Sequence, residues 1–287
     1  MGRTILAGAA ALMMALAALS GTAREAAAPP PVEIAYGEDE LQRIDFWPGA
    51  GRKSPLVIFV HGGGWRRGDK QMMTGSAKLV SWQAKGYAVA SVGYRLVPQA
   101  KVEQQAQDVA DAVAHLHRKA ADLRIDPAHI ALAGHSAGAH LAALVGTDER
   151  YLQRAGLEAS DLVGILALDG AAYDIPAQMA SPAALQAHIY RGVFGKSPMR
   201  QQALSPALHA EAPNARAFLI LHVDRIDSTA QSRLLGEALR KAGSVAVVKG
   251  FPGEGLRGHA DINRRLGEPD YPVTAIVNAW LAARFAT

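Results

Sequence analysis

A serine between two glycines, in Gly134-His135-Ser136-Ala137-Gly138, is the group in this sequence best suited to covalent chemistry. The apolar run 130–133 leads directly into it, and the small and apolar stretch 137–145 follows. A Gly-x-Ser-x-Gly pattern between a strand and a helix makes a sharp turn that lifts the serine hydroxyl clear of a sheet. The same turn sets the serine at a helix N-terminus, whose free N–H groups favour developing negative charge. The bare pattern is common, and the strand and helix around it are what separate a nucleophile from an ordinary tight turn.

A second motif, His61-Gly62-Gly63-Gly64-Trp65, follows the apolar run 56–60. Three successive glycines leave backbone N–H groups open to a ligand. A tetrahedral intermediate needs such donors around its oxyanion. Gly63 and Gly64 are the candidates in this loop, with the N–H of Ala137 as a third. A phosphate-binding loop is the competing reading, but the Lys-Ser/Thr ending is missing.

Ten histidines could serve as a base. His61 and His135 lie inside the motifs. His115 and His117 are two apart on a helical pattern and so face different ways, which suits a solvated pair better than a metal site. His140 is one turn beyond Ser136 and reads as a packed helix residue. His129, His188, His209 and His222 have no motif around them, whereas His259 follows a glycine-rich loop, 253–258, before the last helix. Carboxylates follow two apolar runs: Asp224 and Asp227 after 217–223, and Asp169 after 162–168.

Something must hold these groups together. Short apolar runs at 56–60, 87–92, 130–133, 162–168, 217–223 and 245–248 read as strands buried on both faces. Helical stretches separate them. Val102, Ala106, Val109, Val113, Leu116 and Ala120 make one apolar stripe. Residues 236–241 end another helix with Gly243 just past it, and 273–285 form the last. This alternation predicts one α/β domain with a mostly parallel, doubly wound sheet flanked by helices. Residues 32–46 add an edge hairpin. The Pro-containing stretch 171–215 breaks the alternation and is expected to form a modest cap over the carboxyl ends of the strands.

Taken together, the two glycine motifs resemble the α/β-hydrolase superfamily, in its His-Gly-Gly-Gly branch of hormone-sensitive-lipase-like carboxylesterases and kynurenine-formamidase-like enzymes. Gly93-Tyr94-Arg95-Leu96, Phe194-Gly195 and Ser205-Pro206 also match elements of that branch, and the likeness extends over residues 34–287. It implies a sheet of about eight strands and a Ser–acid–His triad in that chain order. It implies His259 as general base, in a segment His259-Ala260-Asp261-Ile262-Asn263 similar to that around the base of some bacterial esterases. It places the acid after the run 217–223. Asp227 is preferred because a Gln-Ser pair, Gln231-Ser232, follows it as in relatives. Asp224 is the alternative, although Val223 stands where relatives often carry the glycine of Gly-x-x-Asp. Asp169 is a remote third, otherwise a pocket-lining or loop-anchoring residue.

The implied activity is cleavage of small-molecule carboxylic esters, with short acyl chains expected, through an acyl-enzyme on Ser136. No metal or organic cofactor is called for. An amidase, such as an aryl formamidase, would use the same triad. A binding protein on a disabled hydrolase fold is disfavoured because Ser136 and His259 are both present. Trp65, Tyr94 and Tyr173 are candidate pocket residues, with Tyr190 and Phe194 as further candidates.

Composition narrows the rest. The chain has 287 residues, 49% apolar and 20% charged, which is ordinary for a globular domain. Its net charge of +4 is scattered, with no basic stripe, which argues against nucleic-acid binding. There is no cysteine, so the fold rests on packing alone. Residues 1–23 read as a signal peptide: Arg3, an uncharged run at 5–19, then Gly21, Thr22 and Ala23. The run is short for a membrane span, which needs about 20 residues. Residues 24–33 read as a stiff linker containing three prolines, and the protein is expected to be exported, periplasmic or secreted, with no stable span after cleavage. No feature of the sequence bears on oligomeric state.

Overall fold

A computed structural model describes residues 29–180 and 187–286. The expected signal peptide lies outside these residues. Eight strands run β1 (Val32–Ala35), β2 (Arg43–Trp47), β3 (Ser54–Val60), β4 (Ala88–Val92), β5 (Ile125–His135), β6 (Leu162–Leu168), β7 (Ala217–Asp224) and β8 (Val245–Glu254). They form one sheet in the order β1-β2-β4-β3-β5-β6-β7-β8. Only β2 runs against the rest, pairing antiparallel with β1 and β4. The remaining neighbours are parallel. This is the α/β-hydrolase fold. The edge hairpin is present, and its first strand begins two residues inside the segment expected as linker.

Five of the apolar runs become strands because both faces of the sheet are covered there, whereas the run 245–248, also expected to be buried on both faces, forms the edge strand β8 with Val245 and Val247 exposed. Successive side chains point to opposite faces. Leu56, Ile58, Val60 and Leu132 pack with helices α2 (Val102–Arg118), α4 (Ala137–Thr147) and α9 (Ile226–Lys241). Val57, Phe59, Ala131 and Ala133 pack on the other side, against α1 (Ala77–Ala84) and α11 (Pro272–Arg284). The stripe expected at 102–120 is buried against α4, including Val109 and Val113. Two short helices, α3 (Ala120–Leu123) and α5 (Glu149–Arg154), sit beside α2.

Among its described residues, the segment between β6 and β7 carries three helices, α6 (Ile175–Ala180), α7 (Ala187–Phe194) and α8 (Pro198–Ala203), where a cap was expected. One element differs from the sequence reading. Residues 255–264 form a helix, α10 (Gly255–Arg264), so His259 sits on a helix and not in a loop. Its glycines made the segment read as a loop. Gly258 is buried against Gly253, and a Cβ there would meet the Gly253 backbone at 2.4 Å, so close packing rather than flexibility requires the glycine. Among the described residues no helix is long and apolar enough to cross a membrane.

Candidate active site

The sheet order reverses direction between β3 and β5, and ligands bind at such a switch point, beyond the carboxyl ends of the strands. The chemistry-bearing residues collect there. The glycine loop follows β3, Ser136 follows β5, Asp169 follows β6, Arg225 follows β7, and α10 follows β8.

Ser136 is held at φ 57° and ψ −119°, a conformation that non-glycine residues rarely adopt. Its N–H donates to Leu168 O at 3.0 Å, extending the β5–β6 ladder into the turn. The flanking glycines permit the turn through close approach. A Cβ on Gly134 would meet Gly138 O at 2.2 Å, and one on Gly138 would meet Val60 O at 2.1 Å. Helix α4 can therefore start directly above the ends of β3 and β5.

The Ser136 hydroxyl donates to His259 Nε2 at 3.0 Å. His259 Nδ1 donates to Asp169 Oδ2 at 2.6 Å. This chain of contacts corrects the choice of acid. Asp227 does not reach the imidazole. It sits in the first turn of α9 and takes Arg225 Nε and Nη2 at 3.3 and 2.9 Å, so the Arg225 side chain stands between it and the ring. Asp224 is exposed at the last position of β7. The remote third, Asp169, occupies the acid's place because its own N–H is tied to Leu221 O at 2.7 Å, which fixes the carboxylate under α10.

Asp169 is fully ligated. Its Oδ1 accepts from the Ser228 hydroxyl at 2.6 Å and from the Val223 N–H at 3.0 Å. Its Oδ2 accepts from Arg225 Nη1 at 2.7 Å as well as from His259. Burial pushes this carboxyl up. The His259 bond, the Arg225 charge, and the Ser228 and Val223 bonds outweigh burial and bring it down to about 2. Arg225 and Ser228 went unnoticed in the sequence because neither belongs to a motif. A carboxylate directly after an all-apolar strand, next to the nucleophile's strand, was the available signal for Asp169.

Two further histidines build the walls. His135 is buried and donates from Nε2 to His259 O at 2.9 Å, which anchors α10. Burial, then the nearby His259, lowers its pKa to about 3, so it is neutral. His140 is a packed helix residue as expected. It accepts from Trp65 Nε1 at 3.3 Å and donates from Nε2 to Leu204 O at 2.9 Å. Burial lowers it to about 4. Lys78 is buried on the wall of the same cavity, where desolvation lowers it to about 8, and it donates to Asn263 O in the last turn of α10 at 3.0 Å.

These groups border a cavity of about 880 Å³. Ser136, His259 and Asp169 lie on its wall, with Gly63, Gly64 and Ala137. Ala137 is the first residue of α4, where no carbonyl one turn earlier is present to take its N–H. Trp65 and Tyr190 line the cavity. Tyr94 and Tyr173 do not. Tyr94 is buried with its ring stacked on His61 at 4.3 Å, and its hydroxyl donates to His61 O. Tyr173 is buried in the core cluster beneath the cap. Phe194 is likewise buried, edge-on to Trp65 at 4.8 Å, and so ties the cap to the glycine loop.

Comparison with known proteins agrees with this architecture. The BD-FAE family model matches residues 44–239. The chain belongs to the BD-FAE family, within the hormone-sensitive-lipase-like α/β-hydrolases. It is 31% identical to Esterase LipQ of Mycobacterium tuberculosis over 232 residues, which is 75% of this chain and 54% of LipQ. It is 32% identical to kynurenine formamidase of Danio rerio over 116 residues, covering 40% of this chain and 38% of that enzyme. The chain thus spans about half the length of LipQ, and less of the other. A solved carbohydrate esterase from gut microbiota, in truncated form, superposes with a TM-score of 0.74 at 20% identity, covering 92% of this chain and 99% of that one.

Proposed function

We propose that the protein is a carboxylic ester hydrolase acting on small-molecule esters, with Ser136 as nucleophile, His259 as general base and Asp169 as its acid partner. The observation that carries this reading is the continuous hydrogen-bonded line from Ser136 Oγ through His259 to Asp169. His259 takes the serine proton as Oγ attacks the ester carbonyl, and Asp169 steadies the imidazolium that results. The N–H groups of Gly63, Gly64 and Ala137 are placed to receive the oxyanion. His259 then protonates the leaving alcohol and activates water to release the acid from the acyl-enzyme. Trp65 and Tyr190 form an aromatic wall beside the glycine loop, which supports short acyl groups.

Ser136→Ala is the direct test. It is expected to cut hydrolysis of p-nitrophenyl butyrate by about a thousandfold or more, roughly 4 kcal/mol of transition-state stabilisation. Retained activity in that variant sinks the assignment. Fluorophosphonate labelling of the folded wild type separates a hydrolase from a binding protein.

The similarity to kynurenine formamidase favours a second reading, hydrolysis of an aryl formamide by the same residues. A side-by-side assay of N-formylkynurenine and phenyl acetate ranks the two. A strong preference for the formamide would put the amidase reading ahead of the esterase one. Export rests on the pattern of residues 1–23, and N-terminal sequencing of the protein from its native cell tests it. An N-terminus at Met1 argues against cleavage.

A further inference from the structure

Arg225 touches both the carboxylate that holds the imidazole and the one that the sequence pointed to. Its Nη1 is 2.7 Å from Asp169 Oδ2 and 2.6 Å from His259 Nδ1. Its Nε and Nη2 are turned to Asp227. The side chain is only 9% exposed. A guanidinium has five donors and no acceptor. Nη1 and Nδ1 therefore converge as two donors on the same oxygen, and a permanent positive charge lies against the ring.

The charges around His259 can be named. Asp169 and Arg225 meet Nδ1. The neutral His135 ring lies 4.5 Å away on the β5 side. Lys78 stands beyond His135, whose charge it opposes. Tyr190 from the cap feels Asp227, Arg225 and Asp169. Arg257, Asp261 and Arg264 are on α10 itself, Asp261 pairing with Arg264 at 2.7 Å and with Arg257 at 3.8 Å, and Arg67 borders the cavity from the glycine loop. Beside the ring, then, one cation is set between two anions. An Asp–His pair alone has one negative charge stabilising the imidazolium. Arg225 cancels it, and Asp227 restores it one step further out.

We propose that Arg225 is a positioning residue for the proposed hydrolysis: it fixes Asp169 Oδ2 on His259 Nδ1 and, with its charge tempered by Asp227, sets the acid limit of activity. This rests on the hydrolase reading above. Arg225 sets a permanent positive charge against the ring that must take up the serine proton, so its removal is expected to favour the imidazolium. Asp227 opposes the effect of that charge by partly neutralising Arg225. The two residues act on the acid limb with opposite sign, which a purely structural ion pair would not do.

The experiment is the pH profile of kcat/KM on p-nitrophenyl butyrate for wild type, Arg225→Met, Arg225→Lys and Asp227→Asn. Arg225→Met is expected to move the acid limb up by about one pH unit and to lower kcat by about tenfold, with KM little changed. Asp227→Asn is expected to move the limb down by about half a unit. Arg225→Lys keeps the charge but loses the fork, so the limb is expected near its wild-type position while kcat stays reduced. An unmoved limb in both Arg225→Met and Asp227→Asn overturns the proposal, as does a loss confined to KM. Should Arg225→Met not fold, the downward displacement in Asp227→Asn and the unmoved limb with reduced kcat in Arg225→Lys decide it. NMR titration of the His259 ring in Ser136→Ala, alone and with Arg225→Met or Asp227→Asn, reads the same coupling without turnover. If wild type cleaves no ester, the hydrolase reading fails, while this titration still judges Arg225.

Discussion

Asp169 and Asp227 are both carboxylates near a histidine, and only one touches it. Asparagine at 169 is expected to lower kcat by about 10³- to 10⁴-fold, because the imidazole loses the anion that holds its Nδ1–H and stabilises its charge. Asparagine at 227 is expected to leave kcat within about tenfold of wild type. Steady-state kinetics on one ester compares them, and an inverted order would restore Asp227 as the acid. The contrast shows what sequence can carry at this scale. Ser136, Gly63, Gly64 and Ala137 were legible because adjacent residues make their backbone geometry. His259 was legible because it stands alone after the last strand. The acid is chosen by which strand end lies beneath the imidazole, and that depends on contacts between residues 90 positions apart, His259 and Asp169. Tyr94 and Tyr173 misled for a similar reason, since aromatic type does not say whether a ring faces a cavity or a core.

At the scale of elements, the apolar runs marked six strands, five of them because a parallel sheet buries both faces and leaves no polar alternation to confuse them; the sixth, β8, is an exposed edge strand marked by its valines alone. Helix α10 escaped notice because glycines at 253, 255 and 258 read as a loop when the close packing of Gly258 on Gly253 is unknown. The start of α4 depends on close approach in the same way. Gly138→Ala would drive a methyl group against Val60 O and His61 O, both backbone atoms that cannot swing aside. The variant is expected to lower stability by about 1–3 kcal/mol and to displace Ser136, so both the urea midpoint and kcat fall. A variant with wild-type stability and rate would mean that α4 can lift off β3 at little cost. The cap is bound to the glycine loop through His140, Trp65 and Phe194, so it belongs to the cavity wall and not to a separate layer.

For the whole molecule, buried neutral histidines make acid a threat to the fold before it reaches the carboxylates. His135 and His140 have folded-state pKa values near 3 and 4, below the unfolded value of about 6.5. Each contributes stability that is fully present above about pH 6.5 and is lost as pH falls toward its folded value. Between those limits the unfolded chain binds up to two more protons than the native one. From these two sites, unfolding free energy is therefore expected to drop by about 2 kcal/mol per pH unit between about pH 6 and 4. Asp169, held at about 2, adds a further loss only below about pH 4. Urea unfolding at pH 7, 6 and 5 measures the slope, and a flat profile would mean that these histidines protonate without unfolding. The antiparallel β2 has another consequence. It brings the chain back to the amino end of the parallel strands, where Trp47 holds Pro29 O at 2.8 Å and Phe285 packs on Tyr87. Residues 29 and 285 thus emerge from the same pole, opposite the cavity. A tether to a bead or electrode through either one would leave the mouth of the cavity facing the bulk solution.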